Sequence, residues 1–95
     1  MKVRKSKDLK SVLEKKGFVL NPARQDHQMF ILHINGQKQH IFTYLSLGIK
    51  EYGNTLMGKV RHQLKFTTVG EAEDFFDCPM SKDDYIKMLH KNGEL

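Results

Sequence analysis

The chain has 95 residues, of which 39% are hydrophobic and 28% charged, a composition typical of a single small globular domain and not of a disordered segment. Sixteen lysines and arginines against eleven acidic residues give a formal net charge of +5, which favours anionic partners. No apolar run approaches the roughly 20 residues that cross a bilayer, and the single cysteine, Cys78, cannot form an intramolecular disulfide. We therefore expect a cytoplasmic protein that does not associate with a membrane.

An amphipathic helix is predicted over residues 6–16, with Ser6 as its N-cap and Gly17 just beyond its C-terminus. Its apolar stripe consists of side chains three and four residues apart: Leu9, Val12 and Leu13. A short strand over residues 18–20 follows, and Pro22 ends it because proline cannot donate a hydrogen bond to a sheet.

A β-hairpin is predicted next. Residues 27–34 and 37–45 are rich in apolar and β-branched side chains, and the Asn35–Gly36 pair between them is the preferred sequence for a type I′ turn. An uninterrupted hairpin on this turn would place Phe30 opposite Ile41. It would likewise pair these residues: Met29 with Phe42 and His27 with Tyr44.

The two faces of this hairpin are predicted to differ. The core face carries Phe30, Leu32 and Ile41, and the opposite face carries His27, Met29, Ile31, His33, His40, Phe42 and Tyr44. A register slip of one residue would exchange the faces, because side chains alternate along a strand. The second face has two interpretations: it docks RNA or another protein, or the C-terminal aromatic residues cover it, which we favour slightly.

A second helix is predicted from Asn54, its N-cap, to about Lys65, with branched apolar residues at every fourth position: Leu56, Val60 and Leu64. Residues 66–69 allow an extended segment because several of them are β-branched. A last helix begins at Ser81, where Asp84 completes a capping box.

The predicted fold class is α+β. The order α-β-β-β-α gives a three-stranded antiparallel sheet with two helices on one face, the architecture of double-stranded-RNA-binding domains. Residues 1–66 form the predicted core, and residues 67–95 form a C-terminal extension packed on or near it within one domain. The charge is uneven, because residues 1–24 are strongly basic whereas residues 71–84 hold six acidic side chains and one lysine. These acidic residues could compete with RNA phosphates for the basic surface.

Three motifs within residues 5–66 resemble the HicA family of toxins from toxin–antitoxin systems. In that family a helix leads to a glycine and an aromatic residue, a catalytic histidine opens the second strand shortly before an aromatic residue, and the second helix begins Gly-Thr-Leu and continues with basic residues. The matching positions here are Gly17–Phe18, His27 and Phe30, Gly53-Asn54-Thr55-Leu56, Lys59, Arg61 and Lys65. The chain departs from the family at Asp26 and Gln28, where relatives carry Ser and often a second His, and at the inserted Asn54.

The resemblance implies a metal-independent endoribonuclease that needs no cofactor, an mRNA interferase of a type II toxin–antitoxin system. Its partners would be mRNA and a HicB-like antitoxin protein, and His27 would be catalytic. The residue types alone are consistent with this chemistry, because an imidazole with a pKa of about 6.5 transfers protons near neutral pH. The basic residues predicted to contact RNA phosphates are Arg24, Lys59 and Arg61.

Two alternatives remain on the same fold: an RNA-binding module without catalytic activity, and a domain that binds another protein. Without the family resemblance, His27 is better interpreted as a polar residue on an exposed strand face. The chain has no zinc-site spacing, since it holds one cysteine and no close cysteine–histidine pair.

Overall fold

The structure, a computed structural model, describes residues 1–21, 27–46 and 48–95. Its elements in chain order are β1 (Arg4–Lys5), α1 (Ser6–Lys15), β2 (Phe18–Asn21), β3 (His27–Ile34), β4 (Gln37–Ser46), β5 (Glu51–Tyr52), α2 (Asn54–Gln63), α3 (Val69–Asp77) and α4 (Lys82–Lys91). The strands β2, β3 and β4 form an antiparallel sheet in that order, and β1 pairs with β5 in a separate ribbon. The predicted α+β class and three-stranded antiparallel sheet are confirmed. The C-terminal extension contains two helices where we predicted one.

The turn between β3 and β4 forms as predicted, but the register of the two strands changes along the hairpin. Asn35 and Gly36 have φ angles of 51° and 77°, the left-handed conformations that a type I′ turn requires. Beside the turn, Ile34 lies opposite Gln37, which is the predicted register. The strands are irregular between Ile31 and His33, and beyond this point the register no longer follows the turn.

At the irregularity β4 contains two more residues than β3. The pairing passes from His33–Lys38 to Ile31–Phe42, a step of two residues on β3 and four on β4. The predicted partners of Phe30, Met29 and His27 are therefore wrong, and these residues lie opposite Thr43, Tyr44 and Ser46. Because the shift is an even number, every side chain keeps its predicted face.

One face of the sheet is buried against the helices. The core side chains that β3 and β4 contribute are Phe30, Leu32, Ile41 and Leu45, and the helices add Leu9 and Leu13 from α1 and Met57 and Val60 from α2 to the same cluster. The predicted core face is thus confirmed. On the other face Ile31 is also buried, because it lies on the central strand between Val19 of β2 and Phe42 of β4.

The helices α3 and α4 belong to the same core. The ring of Phe75 lies 6.3 Å from Phe18, 5.3 Å from Phe66 and 4.9 Å from Tyr85, measured between ring centres. The buried Tyr85 hydroxyl donates a hydrogen bond to the carbonyl of Leu64 at 2.8 Å. The expectation that these aromatic residues cover the face of Met29, Phe42 and Tyr44 is therefore wrong, because Phe18 and Phe66 offer them an apolar surface on the helical side.

Lys16 joins the end of α1 to the end of α3. Its ammonium is buried and donates hydrogen bonds to the carbonyls of Phe75 and Met80, and it lies 4.5 Å from the centre of the Phe75 ring. Phe75 lies in the last turn of α3, where carbonyl groups lack helical partners, and Met80 lies in the connection to α4. Burial lowers the pKa of the Lys16 ammonium, and hydrogen bonds and the aromatic ring offset part of that cost.

The acidic residues of α3 bind the N-terminal segment. Arg4 of β1, whose side chain is only 9% exposed, donates from Nη2 to Glu73 at 2.5 Å and from Nη1 to Asp77 at 2.9 Å. Lys2 lies 3.0 Å from the same Asp77 carboxylate, and the Arg4 guanidinium also lies over the Phe76 ring. In the described residues, Glu73 and Asp77 therefore meet basic groups of the N-terminus and not those of α2.

The helix caps differ in part from the predicted ones. Ser81 and Asp84 form the predicted capping box of α4. Lys5 and Gly53 stand at the N-cap positions of α1 and α2, each one residue before the predicted cap. Thr68, in the segment that allowed an extended conformation, has an extended backbone and caps α3 through a second capping box with Glu71. Among the described residues, no helix is long and apolar enough to span a membrane.

Replacing Phe75 with alanine should lower the free energy of unfolding by about 3–5 kcal/mol, because a fully buried aromatic side chain leaves a cavity that its neighbours fill only in part. Urea unfolding followed by circular dichroism measures the change. The matched control is Val69→Ala on the same helix, where the side chain is 47% exposed and the expected change is within about 0.5 kcal/mol. Equal effects of the two substitutions would show that the extension is not part of the core.

The Arg4–Asp77 pair should make stability depend on acid pH. The hydrogen bond from Arg4, followed by that from Lys2, lowers the pKa of Asp77 to about 2. Its stabilising contribution is therefore complete above the ordinary aspartate pKa of about 4 and is lost as the pH falls towards 2. Between about pH 5 and pH 2, urea midpoints should fall more for the wild-type protein than for Asp77→Asn. Asp83→Asn, an exposed aspartate of α4, is the control and should follow the wild-type curve.

Candidate functional site

His27 lies at the open end of the hairpin, away from the turn. It is the first residue of β3 and pairs with Ser46, the last residue of β4. The exposed imidazole has its Nδ1 atom 3.2 Å from the Ser46 hydroxyl, within hydrogen-bond distance. Its ring also meets Tyr44 edge-on, with 6.2 Å between the ring centres. Two contacts on one side of the ring therefore orient it.

Ser46 is itself hydrogen-bonded to a buried tyrosine. The Ser46 backbone amide donates a hydrogen bond to the Tyr52 hydroxyl at 2.7 Å, and Tyr52 is only 3% exposed. Tyr52 belongs to the small ribbon β1–β5, whose position is fixed by the pairing of Arg4 with Tyr52. The Ser46 backbone is thus held by a buried side chain, and the Ser46 hydroxyl contacts His27, which favours a defined orientation of the imidazole.

Gln63 attaches α2 to the edge of the sheet. Its Oε1 atom accepts a hydrogen bond from the Thr43 hydroxyl at 2.6 Å and from the Tyr44 backbone amide at 3.4 Å. Because β4 is an edge strand, its outward amide has no partner within the sheet. The glutamine supplies that partner and holds α2 alongside β4.

A cleft of about 420 Å³ lies between the end of the sheet and α2. It is lined by His27, Tyr44, Tyr52, Leu56, Lys59 and Gln63. The three residues from α2 fall at spacings of three, four and seven, so they share one face of the helix. His27 and the exposed Lys59 are therefore brought to the same cleft although they are far apart in sequence. The cleft combines an imidazole, an ammonium group and tyrosine rings.

The other predicted phosphate contacts are not part of this cleft as the structure describes it. Arg61 is half-buried, and its Nη1 atom donates to the carbonyl of Phe66 at 3.3 Å. It follows Lys59 by two positions, which places it on a different face of α2. Arg24, like Asp26 beside His27, lies outside the described residues.

His33 and His40 lie away from His27 along the hairpin. His33 lies on β3 near the hairpin turn and pairs with Lys38. His40 lies on β4, within the irregular part of the hairpin. Within residues 1–21, 27–46 and 48–95, no three histidine, cysteine, aspartate or glutamate side chains are close enough to hold a metal ion together.

Sequence reasoning missed Ser46, Tyr52 and Gln63. The predicted strand ends at Leu45, whereas β4 continues to Ser46. Gln63 had a detectable signal, since it follows Lys59 by four positions on the same helix face. Tyr52 gave no pattern of its own, because a two-residue strand is too short to show alternation.

Comparisons with protein-family models, with curated proteins and with solved structures gave no match. The likeness to HicA toxins therefore rests on the sequence motifs described above.

Replacing Gln63 with methionine should destabilise the fold by about 1–3 kcal/mol, because the buried Thr43 hydroxyl loses its hydrogen-bond acceptor. A double-mutant cycle tests the cause. In a Thr43→Val background the hydroxyl is absent, so Gln63→Met should cost clearly less. The same cost in both backgrounds would mean that the Thr43–Gln63 hydrogen bond does not contribute to holding α2 against β4.

Proposed function

We propose that the chain is an RNA-binding protein that cleaves RNA at the His27 cleft, as an endoribonuclease that uses one histidine as its acid–base group. The observation that carries the proposal is that His27 and Lys59 line one cleft. A proton-transfer group and a fixed positive charge are what cleavage of a phosphodiester by its own 2′-hydroxyl needs.

In the proposed reaction the 2′-oxygen of a ribose forms a bond with the adjacent phosphorus, and the bond from phosphorus to the 5′-oxygen breaks. The His27 imidazole accepts the proton of the 2′-hydroxyl, and the departing 5′-oxygen takes up a proton from solvent. The products are a 2′,3′-cyclic phosphate and a 5′-hydroxyl. No metal ion or external cofactor takes part in this sequence.

The neighbours of His27 have separable roles in this proposal. The Ser46 hydroxyl orients the imidazole through its contact with Nδ1, which leaves Nε2 for the substrate. The Lys59 ammonium, exposed on the same cleft, stabilises the negative charge that develops on the phosphate oxygens. Tyr44 is half-buried on the cleft wall and offers a ring on which an unpaired base stacks.

The family resemblance extends this proposal to a biological role. On that basis the chain is an mRNA interferase of a type II toxin–antitoxin system that acts in the cytoplasm and is neutralised by a HicB-like antitoxin protein. The role is supported by the spacing of Gly17–Phe18, His27 and the start of α2. The charge balance of the whole chain, +5, is of the sign that an RNA ligand requires.

Replacing His27 with alanine should abolish RNA cleavage and leave the melting temperature nearly unchanged, because the side chain is exposed at a strand end. The assay incubates purified protein with end-labelled RNA and with the same oligonucleotide made of 2′-deoxynucleotides, which lacks the attacking hydroxyl. The wild-type protein should cut only the RNA. His90→Ala, which removes an exposed histidine of α4, is the matched control and should cut like the wild type.

Two results would contradict the proposed activity in different ways. Equal cleavage by wild type and His27→Ala in preparations of matched purity would remove His27 from the reaction. Binding of RNA by the wild-type protein without any cleavage would leave the alternative of a silent RNA-binding module. In cells, induced expression should cause growth arrest and loss of mRNA with the wild type and neither effect with His27→Ala.

A further inference from the structure

A second hollow adjoins the His27 cleft at the same end of the sheet. It has a volume of about 170 Å³ and is lined by Ser6, Lys7, Lys10, Gln28, Leu45 and Ser46. Three of these residues come from the first turns of α1, and three come from the paired ends of β3 and β4. The N-terminal part of α1 therefore lies close to the end of the hairpin where His27 pairs with Ser46.

Ser46 connects the two hollows. Its hydroxyl lies 3.2 Å from His27 Nδ1, and the same residue lines the hollow beside α1. Gln28, the neighbour of His27 on β3, also lines that hollow. The His27–Ser46 pair is thus shared between the two hollows: Ser46 lines the one that Lys7 and Lys10 border, and His27 lines the one that Lys59 borders.

The lysines on both sides are available for an anionic ligand. Lys7 and Lys10 are three residues apart on α1, so their side chains share one helix face. In the described part of the chain, neither they nor Lys59 form an ion pair, whereas Lys2 and Arg4 are bound to Asp77 and Glu73. Lys7 also borders a neighbouring hollow beside the N-terminus of α1, which Lys5, Lys50 and the carboxylate of Glu51 line.

We infer that a single RNA strand crosses the His27–Ser46 pair, with its backbone held by Lys7 and Lys10 on one side of the scissile phosphate and by Lys59 on the other. This inference rests on the proposed function and assigns a binding role to α1 that the sequence motifs do not. Separated positive charges beside one aromatic side chain, Tyr44, suit a flexible single strand. Its phosphates can follow the lysines, and an unstacked base can lie on the ring. Residues 7 and 10 would then position the substrate without taking part in proton transfer.

The test measures the affinity of fluorescently labelled RNA of about twelve nucleotides by anisotropy, over salt concentrations from about 50 to about 200 mM. The His27→Ala background prevents cleavage during the measurement. Each lysine that contacts a phosphate of a single strand contributes about 0.7 to the slope of log affinity against log salt. The double variant Lys7→Gln, Lys10→Gln should therefore lose about 1.4 from the slope, and Lys59→Gln about 0.7.

The matched control is Lys38→Gln, an exposed lysine near the hairpin turn. It removes one charge, as Lys59→Gln does, but at the opposite end of the hairpin, so its slope should stay near that of the parent. Circular dichroism melting of each variant confirms that the fold is intact. The same RNA annealed to its complement should bind more weakly than the single strand.

Several outcomes would overturn the inference while leaving the proposed function in place. In the first, the Lys7→Gln, Lys10→Gln double variant keeps the parent's slope of log affinity against log salt, while Lys59→Gln has a smaller one. In the second, Lys38→Gln loses as much slope as Lys59→Gln, which would mean that RNA affinity depends on net charge alone. A third is tighter binding of the duplex. Failure of the proposed function gives a different result, namely no binding by any variant at low salt or cleavage that does not depend on His27.

Discussion

Phe30, Leu32, Ile41 and Leu45 give the three-stranded sheet one apolar face, and the packing of all four described helices follows from that constraint. A sheet of this size stays stable only when such a face is covered. The helices α1 and α2 lie against it, and the chain after Phe66 adds α3 and α4 to the same cluster. Met29, Phe42 and Tyr44, on the other face of the sheet, are not part of this cluster. The His27 cleft lies between the end of the hairpin and α2.

The extension after Phe66 also separates the charges of the chain. The acidic side chains of α3 hold Lys2 and Arg4 of the N-terminal segment, while the buried ammonium of Lys16 holds the end of α3 against α1. Basic groups near the termini are thereby used within the fold. Lys7 of α1 and Lys59 of α2 are exposed and form no ion pair among the described residues. Glu73 and Asp77 are thus engaged by the N-terminal segment and not by the lysines of α2.

The sequence predicted those features that depend on local chemistry. The Asn35–Gly36 pair defined the hairpin, and the alternation of Phe30 and Leu32 defined its core face, because both are properties of neighbouring residues. The packing of Phe75 and Tyr85 on Phe18 could not be predicted in this way, since it depends on which of two apolar surfaces is nearer in three dimensions. The placement of His27 and Lys59 on one cleft is also tertiary, and no local pattern in the sequence reports it.

The irregularity near Leu32 decides what stands beside His27. With the register that the turn alone dictates, His27 would lie directly opposite Tyr44, and β4 would extend two residues past the end of β3. The two additional residues of β4 instead bring Ser46 opposite the imidazole and move Tyr44 one pair inward, opposite Met29. A hydroxyl supported by Tyr52 therefore contacts Nδ1, while the Tyr44 ring stays close enough to meet the imidazole edge-on. Because the shift is two residues and not one, His27 stays on the outer face, and the same distortion that changes its partner leaves it accessible to a ligand.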